Sequence, residues 1–299
     1  TIPNFLGGIS QEPDYNKQPG FLKDVKNAYP DVTYGLQKRH GSRWEYDLGE
    51  DSELDGALWF SFRGFGNIPY VGCVIPPKTG RSASIRVWSS TNGVEQTVTG
   101  DFSYLEKQDK FPAIPPATSP ITPTKEAYKT VSINQVTVIL NRLCKVLPDT
   151  TQTSGTLAGT VTSVAELPGT ANTGDIYYIT NSTSDLDDYY VKWDGEAWVE
   201  TVKPGIDVGI VDNTMPHALV QTDTGFNFTT VNHADREVGN EKTNQHPSFV
   251  NSYIENVFFY LNRVGLLSQN NVIMSQPLVP EANPTELQST NYYRISTLT

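Results

Sequence analysis

NQHPSFVNSYIENVFFYLNRVGLLSQNNVIMSQ, residues 244–276, sets short apolar runs close together and punctuates them with Asn, Gly and Ser. Ser248-Phe249-Val250 leads into Ile254 to Tyr260, then Asn262 to Ser268, then Asn271 to Ser275. Runs of this length, rich in β-branched and aromatic residues and separated by turn formers, predict strands joined by tight connections. The stretch therefore reads as a β-meander, and it contains no arrangement of residues suited to catalysis.

Composition extends that reading to the whole chain. The 299 residues are enough for a substantial core, in one large β domain or two smaller ones. Hydrophobic content is 37%, low for a compact enzyme, while 23 Gly, 20 Pro, 15 Tyr and 12 Phe suit many short strands with frequent turns. The net charge of −11 is uneven: residues 1–110 carry 14 acids and 12 bases, and residues 111–299 carry 19 and 10. Seven carboxylates fall between Asp175 and Glu200, including Asp185, Asp187, Asp188 and Asp194, against Lys192 alone. Such a surface repels phosphate and argues against tight wrapping of nucleic acid, and a solvated loop rim is its simplest explanation.

Two cysteines, Cys73 and Cys144, make neither a disulfide framework nor a Cys-rich metal site, although one bridge would be feasible. No apolar run reaches the ~18 residues of a membrane span. The chain opens on Thr1 without a basic and apolar leader, which suggests a processed or truncated chain.

Along the chain, Thr1 to Tyr34 combines Gly7-Gly8 with four prolines and little periodicity, as an extended arm would. Apolar runs at Ala57 to Phe62, Tyr70 to Ile75 and Ser84 to Trp88 predict strands, with breaks at Pro76-Pro77 and Asn92-Gly93. FPAIPPATSPITPT, residues 111–124, holds five prolines and reads as extended, semi-rigid chain. Thr130 to Leu140 favours a long strand or a hairpin, and Asp149 to Ser163 a linker or flexible tip. In the next module, Asp194-Gly195 between Tyr189 to Trp193 and Ala197 to Glu200 is the strongest hairpin signal. Helix candidates are few, chiefly Gly20 to Ala28. The expected division is an arm at 1–43, a β region at 44–111, linkers flanking a strand at 112–163, an inserted β module at 164–230 and the meander at 231–299.

Residue patterns that carry chemistry are scarce. Asp51 to Gly56 imitates the start of a calcium loop, but Phe62 stands where the closing Glu belongs. His40, His217, His233 and His246 have no partners at ligand spacing. No nucleophile elbow, phosphate loop or zinc-protease motif is present. Pairs such as Asp187 and Asp188 meet a glycosidase's need for two acids only by number. Tyr177, Tyr178, Tyr189, Tyr190, Trp193 and Trp198 would make a sugar-stacking platform if exposed, but strand alternation sends about half of them inward. No cofactor or metal is expected.

Four separated segments, in order, resemble tail tubular protein B, the nozzle protein family of short-tailed bacteriophages. They are Asn4 to Asp14, with Gly7, Gly8, Ser10, Gln11 and Pro13; Gly35 to Arg39, with Lys38 and Arg39; Thr214 to Val220, with Pro216 and His217; and the opening stretch, with Pro247, Phe249, Asn262, Arg263, Gly265 and Ser275. Glu12 and His40 depart from the Gln and Pro usual in that family. The resemblance implies a mainly β, multi-domain virion protein, the N-terminal portion of a longer chain, whose meander begins a propeller-like body. It implies a homohexameric ring below the tail adaptor, tail tubular protein A, near a tail fibre, passing double-stranded DNA without sequence-specific binding. The motif positions would serve turns, close approach and contacts between strands or subunits. An acidic wall suits fast passage of DNA, which makes Asp185, Asp187, Asp188 and Asp194 candidate channel or interface acids. The alternative is a carbohydrate-binding or depolymerising tail component.

Overall fold

The computed structural model describes residues 7–31, 33–110, 122–133, 135–181, 184 and 187–275. It is mainly β, built from small sheets of two to five strands. Two compact units divide it, Thr1–Tyr46 and Asp47–Thr299.

The first unit has two small pairings: Gly8–Ile9 runs parallel to Phe21–Leu22, and Ala28–Asp31 is antiparallel to Gly35–Lys38. The helix expected over Gly20 to Ala28 does not form. Gly20 sits at φ +101° and Asn27 at φ +58°, both left-handed, and the intervening chain bends after its two-residue strand.

In the second unit three layers stack. A sheet of Leu58–Arg63, Pro69–Ile75, Ser84–Ser89 and Glu95–Gln96 forms one outer layer. The middle sheet has five strands in the order Tyr128–Ile133, Val136–Asn141, His217–Thr222, Gly225–Thr229 and Val98–Gly100. The meander of Asn256–Tyr260, Arg263–Ser268 and Asn271–Met274 covers its other side. Alternation explains the stacking. Ile139, Leu219, Phe226 and Phe228 join Phe62, Tyr70, Val74 and Val87 in one core, whereas Val138 and Leu140 join Phe249, Val257, Leu266 and Ile273 in another. All six residues of Val136–Asn141 are buried, polar Thr137 and Asn141 included, so this strand has core on both faces.

The predicted hairpin over Thr130 to Leu140 is thus the seam of the body. Ser248 to Val250, expected as a strand, instead forms a turn in which only Val250 bridges to Val146, because Phe249 is buried in the second core. The calcium-loop mimic is a single helical turn, Asp51–Leu54.

Between two neighbouring strands of the middle sheet the chain leaves to build an insert. Pro148–Gln152 and Asp207–Ile210 pair as its stalk. Its sheet runs Thr156–Val161, Asp175–Ile179, Tyr189–Trp193 and Trp198–Thr201, so Asp149 to Ser163, expected as a linker or flexible tip, instead supplies a stalk strand and the first strand of this sheet, each ordered by pairing with a distant strand. The Asp194-Gly195 turn closes the last hairpin, as the sequence predicts. Cys73 and Cys144 are both buried free thiols. A propeller-like body is not part of the described residues.

Candidate assembly and channel residues

Gly7 and Gly8 shape the arm for different reasons. A Cβ on Gly7 would lie 2.9 Å from both the Gly20 carbonyl oxygen and the Phe21 ring, and Gly8 has φ +76°. The Gly7 amide donates to Gly20 O at 3.0 Å and the Ser10 amide to Leu22 O at 3.0 Å, which holds the parallel pair. Ser10 Oγ accepts from the Glu12 amide at 3.2 Å, and Pro13 O accepts from the Asn16 amide at 2.9 Å. Gln11, Lys38 and Arg39 are exposed, and the Arg39 amide closes the second pairing on Asn27 O at 2.8 Å.

Pro216 and His217 lie inside the body. His217 stacks on Tyr104 with ring centroids 4.1 Å apart, and its Nδ1 donates to Met215 O at 2.8 Å. Burial pushes its imidazole down to about 4, so the ring is neutral near pH 7. Tyr104 in turn receives the Asn141 amide on its hydroxyl at 3.0 Å, and Asn141 Nδ2 donates to Tyr104 O and Lys107 O, both at 2.9 Å. This network joins the middle sheet to the chain entering the Pro-rich segment.

Pro247 and Phe249 are buried, and Pro247 O accepts the Val250 amide at 2.9 Å. Leu261 and Asn262 take φ +46° and +58°, the left-handed pair that a two-residue hairpin requires. Arg263 Nη1 donates to Ser275 O at 3.0 Å, and Ser275 Oγ accepts the Val264 amide at 3.0 Å, fastening the meander's central strand to the end of its last. Gly265 is needed by its neighbour: a Cβ there would come within 2.2 Å of the Phe258 ring.

The candidate channel acids have separate environments. Asp185 lies outside the described residues. Asp187 is exposed and accepts from Asn181 Nδ2 at 2.5 Å. Asp188 is buried and accepts a hydrogen bond from the Tyr178 hydroxyl, which lowers the carboxyl and raises the phenol to about 12. Asp194 Oδ1 takes the Ala197 and Glu196 amides, both at 2.8 Å, and these hold its carboxyl below the usual range. Three of the four acids therefore bond within the insert, Asp187 from an exposed position.

Sequence reading missed a cluster built across the fold. Glu255 accepts from Lys110 and from Arg142 Nη2, the latter at 2.5 Å, with sequence separations of 145 and 113 residues. Burial raises its carboxyl, but hydrogen bonds from Lys110 and Arg142 outweigh that and leave it lowered. Lys110 also lies 5.1 Å over the Tyr253 ring, whose hydroxyl donates to Asp109 O at 2.9 Å. No local signal marks such a cluster.

Among the described residues no group of three or more His, Cys, Asp or Glu is placed to hold a metal ion. An open groove of about 580 Å³ runs beside the Lys78 to Ser82 turn, Glu106 and Pro123. Lys78 there pairs with Asp55 at 2.8 Å and Glu106 accepts the Ala83 amide, while Arg81 Nη1 donates to the carbonyls of Ser52 and Glu53 and its Nε and Nη2 are buried without a hydrogen-bond partner among the described residues. Among the described residues no helix is long and apolar enough to cross a membrane.

Layered sheets, an inserted module and motif residues that set turns and strand ends define a β-built structural scaffold. The comparisons give that class its particular place. A sequence model of the bacteriophage nozzle protein family matches residues 1–160 and 152–278, and the chain belongs to that family. It is also 39% identical over 118 residues to "tail tubular protein gp12" of Escherichia phage T7, a match that spans 38% of this chain and 15% of that protein. The overlap of the two family matches, residues 152–160, falls at the foot of the insert.

Proposed function

We propose that this chain is a structural subunit of a short phage tail, located in the virion, that assembles as a homohexameric ring below an adaptor of the tail tubular protein A type. The ring retains the packaged genome and conducts double-stranded DNA during ejection, with a tail fibre as a further neighbour. The observation that carries this reading is the family match over most of a body whose motif residues are spent on backbone geometry and packing. Of the five segments described from sequence, 1–43 serves in this reading as arm and 44–111 as body, while the hairpin within 112–163 and the meander within 231–275 pack into that same body and the insert leaves from its middle sheet.

We assign no catalytic activity and no cofactor. A sugar-binding platform is poorly supported by the insert's aromatics. Trp193 is buried against Trp198, whose indole nitrogen donates to Pro168 O at 3.0 Å, and Tyr177 packs edge-on against the same ring. Those faces are occupied by one another rather than presented as a flat array.

Electron microscopy of tails carrying this chain with an antibody-accessible tag decides the matter. Six-fold density for the tag in a ring under the adaptor is the expected result. Tagged density confined to peripheral appendages, or saturable glycan binding lost in Trp198→Ala, would overturn the nozzle assignment in favour of a surface-binding component.

A further inference from the structure

The arm has geometry without a core. Of its described residues, 7–31 and 33–46, none is buried. Tyr15, Tyr34 and Trp44 are 86%, 75% and 76% exposed, and Ile9, Phe21 and Leu36 are exposed as well. A segment this short, with no cysteine, has nothing to stabilise it through burial of its own side chains. Local polar brackets nonetheless give it a shape: Asp14 binds Lys17 at 3.1 Å and Lys23 at 2.8 Å, and Asp31 Oδ1 receives the Thr33 and Tyr34 amides. Large aromatics on a shaped, coreless segment are the composition of a contact surface.

Charge selects the surface that it fits. Residues 1–46 carry five acids and six bases, which leaves 28 acids and 16 bases on residues 47–299. Two copies of so acidic a body repel, and the near-neutral, slightly basic arm is the part of the chain able to bring them together. Lys38 and Arg39 are exposed and form no ion pair among the described residues. Lys38 ends the Gly35–Lys38 strand and Arg39 follows it, a few residues before Trp44 and before Arg43, whose guanidinium is exposed and pairs at 3.1 Å with the likewise exposed Glu45.

We infer that residues 7–46 of one copy dock on the acidic body, residues 47–275, of a second copy, with Lys38, Arg39 and Arg43 meeting carboxylates and Tyr34 and Trp44 covering apolar surface between them. This deepens the ring reading by naming the element that joins its subunits, and it rests on that reading only for the number of copies.

The test uses the full chain in two isotopic forms, unlabelled and nitrogen-15, mixed as monomers at low concentration, then concentrated and treated with a zero-length carbodiimide at low salt. Links between Lys38 and body carboxylates are expected, about half of them joining one labelled and one unlabelled chain. The triple variant Lys38→Glu, Arg39→Glu, Arg43→Glu, whose changes lie outside every buried cluster, is expected to lose these links and to associate at least ten-fold more weakly by sedimentation. Links confined to single-label pairs place the arm on its own body and overturn the inference. Unchanged association of a normally folded triple variant also overturns it while leaving the nozzle reading intact, and a wild-type chain that remains monomeric when concentrated overturns arm exchange outright.

Discussion

At His217, one residue of the Thr214 to Val220 segment carries a measurable pH signature. Its folded pKa is held at about 4 by burial, below the 6.5 of a free imidazole. A depressed pKa means that the unfolded chain takes up the proton first. Its effect is therefore nil well above pH 6.5, and stability is lost as pH falls from about 6.5 towards 4, by about 3 kcal/mol in full. His217→Phe keeps a ring against Tyr104 but removes both the titration and the hydrogen bond to Met215. Chemical denaturation of the two proteins should show the variant about 1 kcal/mol weaker at pH 8, the gap reversing at about pH 6 and the variant about 2 kcal/mol stronger near pH 4. Parallel pH profiles would remove the buried, neutral histidine from the account. The two thiols behave consistently with the same interior: burial raises Cys73 to about 11 and Cys144 to about 12, so both are poor nucleophiles near neutral pH.

Among the elements, the meander is where local sequence and tertiary contact meet. Its central strand needs Gly265 because the Phe258 ring covers that position, a cross-strand partner in register with it. Gly265→Ala should cost about 1–3 kcal/mol through displacement of that ring, and a thermal midpoint equal to wild type would show that the ring moves freely. The meander is also tethered through Glu255 to Arg142 and to Lys110. All three side chains keep about a third of their surface in water, so Glu255→Gln should cost only about 1 kcal/mol. Hydrogen exchange offers the sharper check: amides of residues 107–110 should exchange faster in that variant while those of Val136–Asn141 remain protected. Equal exchange at both places would mean that the cluster anchors nothing.

For the whole molecule, charge is the property with functional reach. Asp188 and Asp194 are committed to the insert's own structure, so among the described residues of that cluster the exposed acids left to meet a channel or a neighbour are Glu196, Glu200 and Asp187, the last of which also accepts from Asn181. In phage carrying Asp187→Lys, Glu196→Lys and Glu200→Lys together, ejection in vitro should slow, more so at low ionic strength, because added cations hold passing phosphates. Wild-type ejection kinetics at low salt would place the insert away from the DNA path. The arm is legible at the same scale: its lack of periodicity marks it as extended, yet only exposure and the charge contrast with the body point to a second copy as its partner.

Alternation of apolar residues, turn chemistry and composition were enough to establish a mainly β chain, its principal strands, the Asp194-Gly195 hairpin and the meander, because strand period and turn preference act over a few residues. The same locality explains the errors. Gly20 to Ala28 lacks strong opposing signals but bends at left-handed Gly20 and Asn27, and Ser248 to Val250 yields its strand to the burial of Phe249. Motif residues were visible as a pattern, while their purposes were not: Gly265 answers to Phe258, Gly7 to Gly20 and Phe21, and His217 to Tyr104. Tertiary structure alone decided the three-layer stacking, the departure of the insert from between paired strands and the joining of Glu255 to cations 113 and 145 residues away. Those outcomes depend on which faces meet when separate sheets bury apolar surface together, a choice made by packing across the fold rather than by neighbours along the chain.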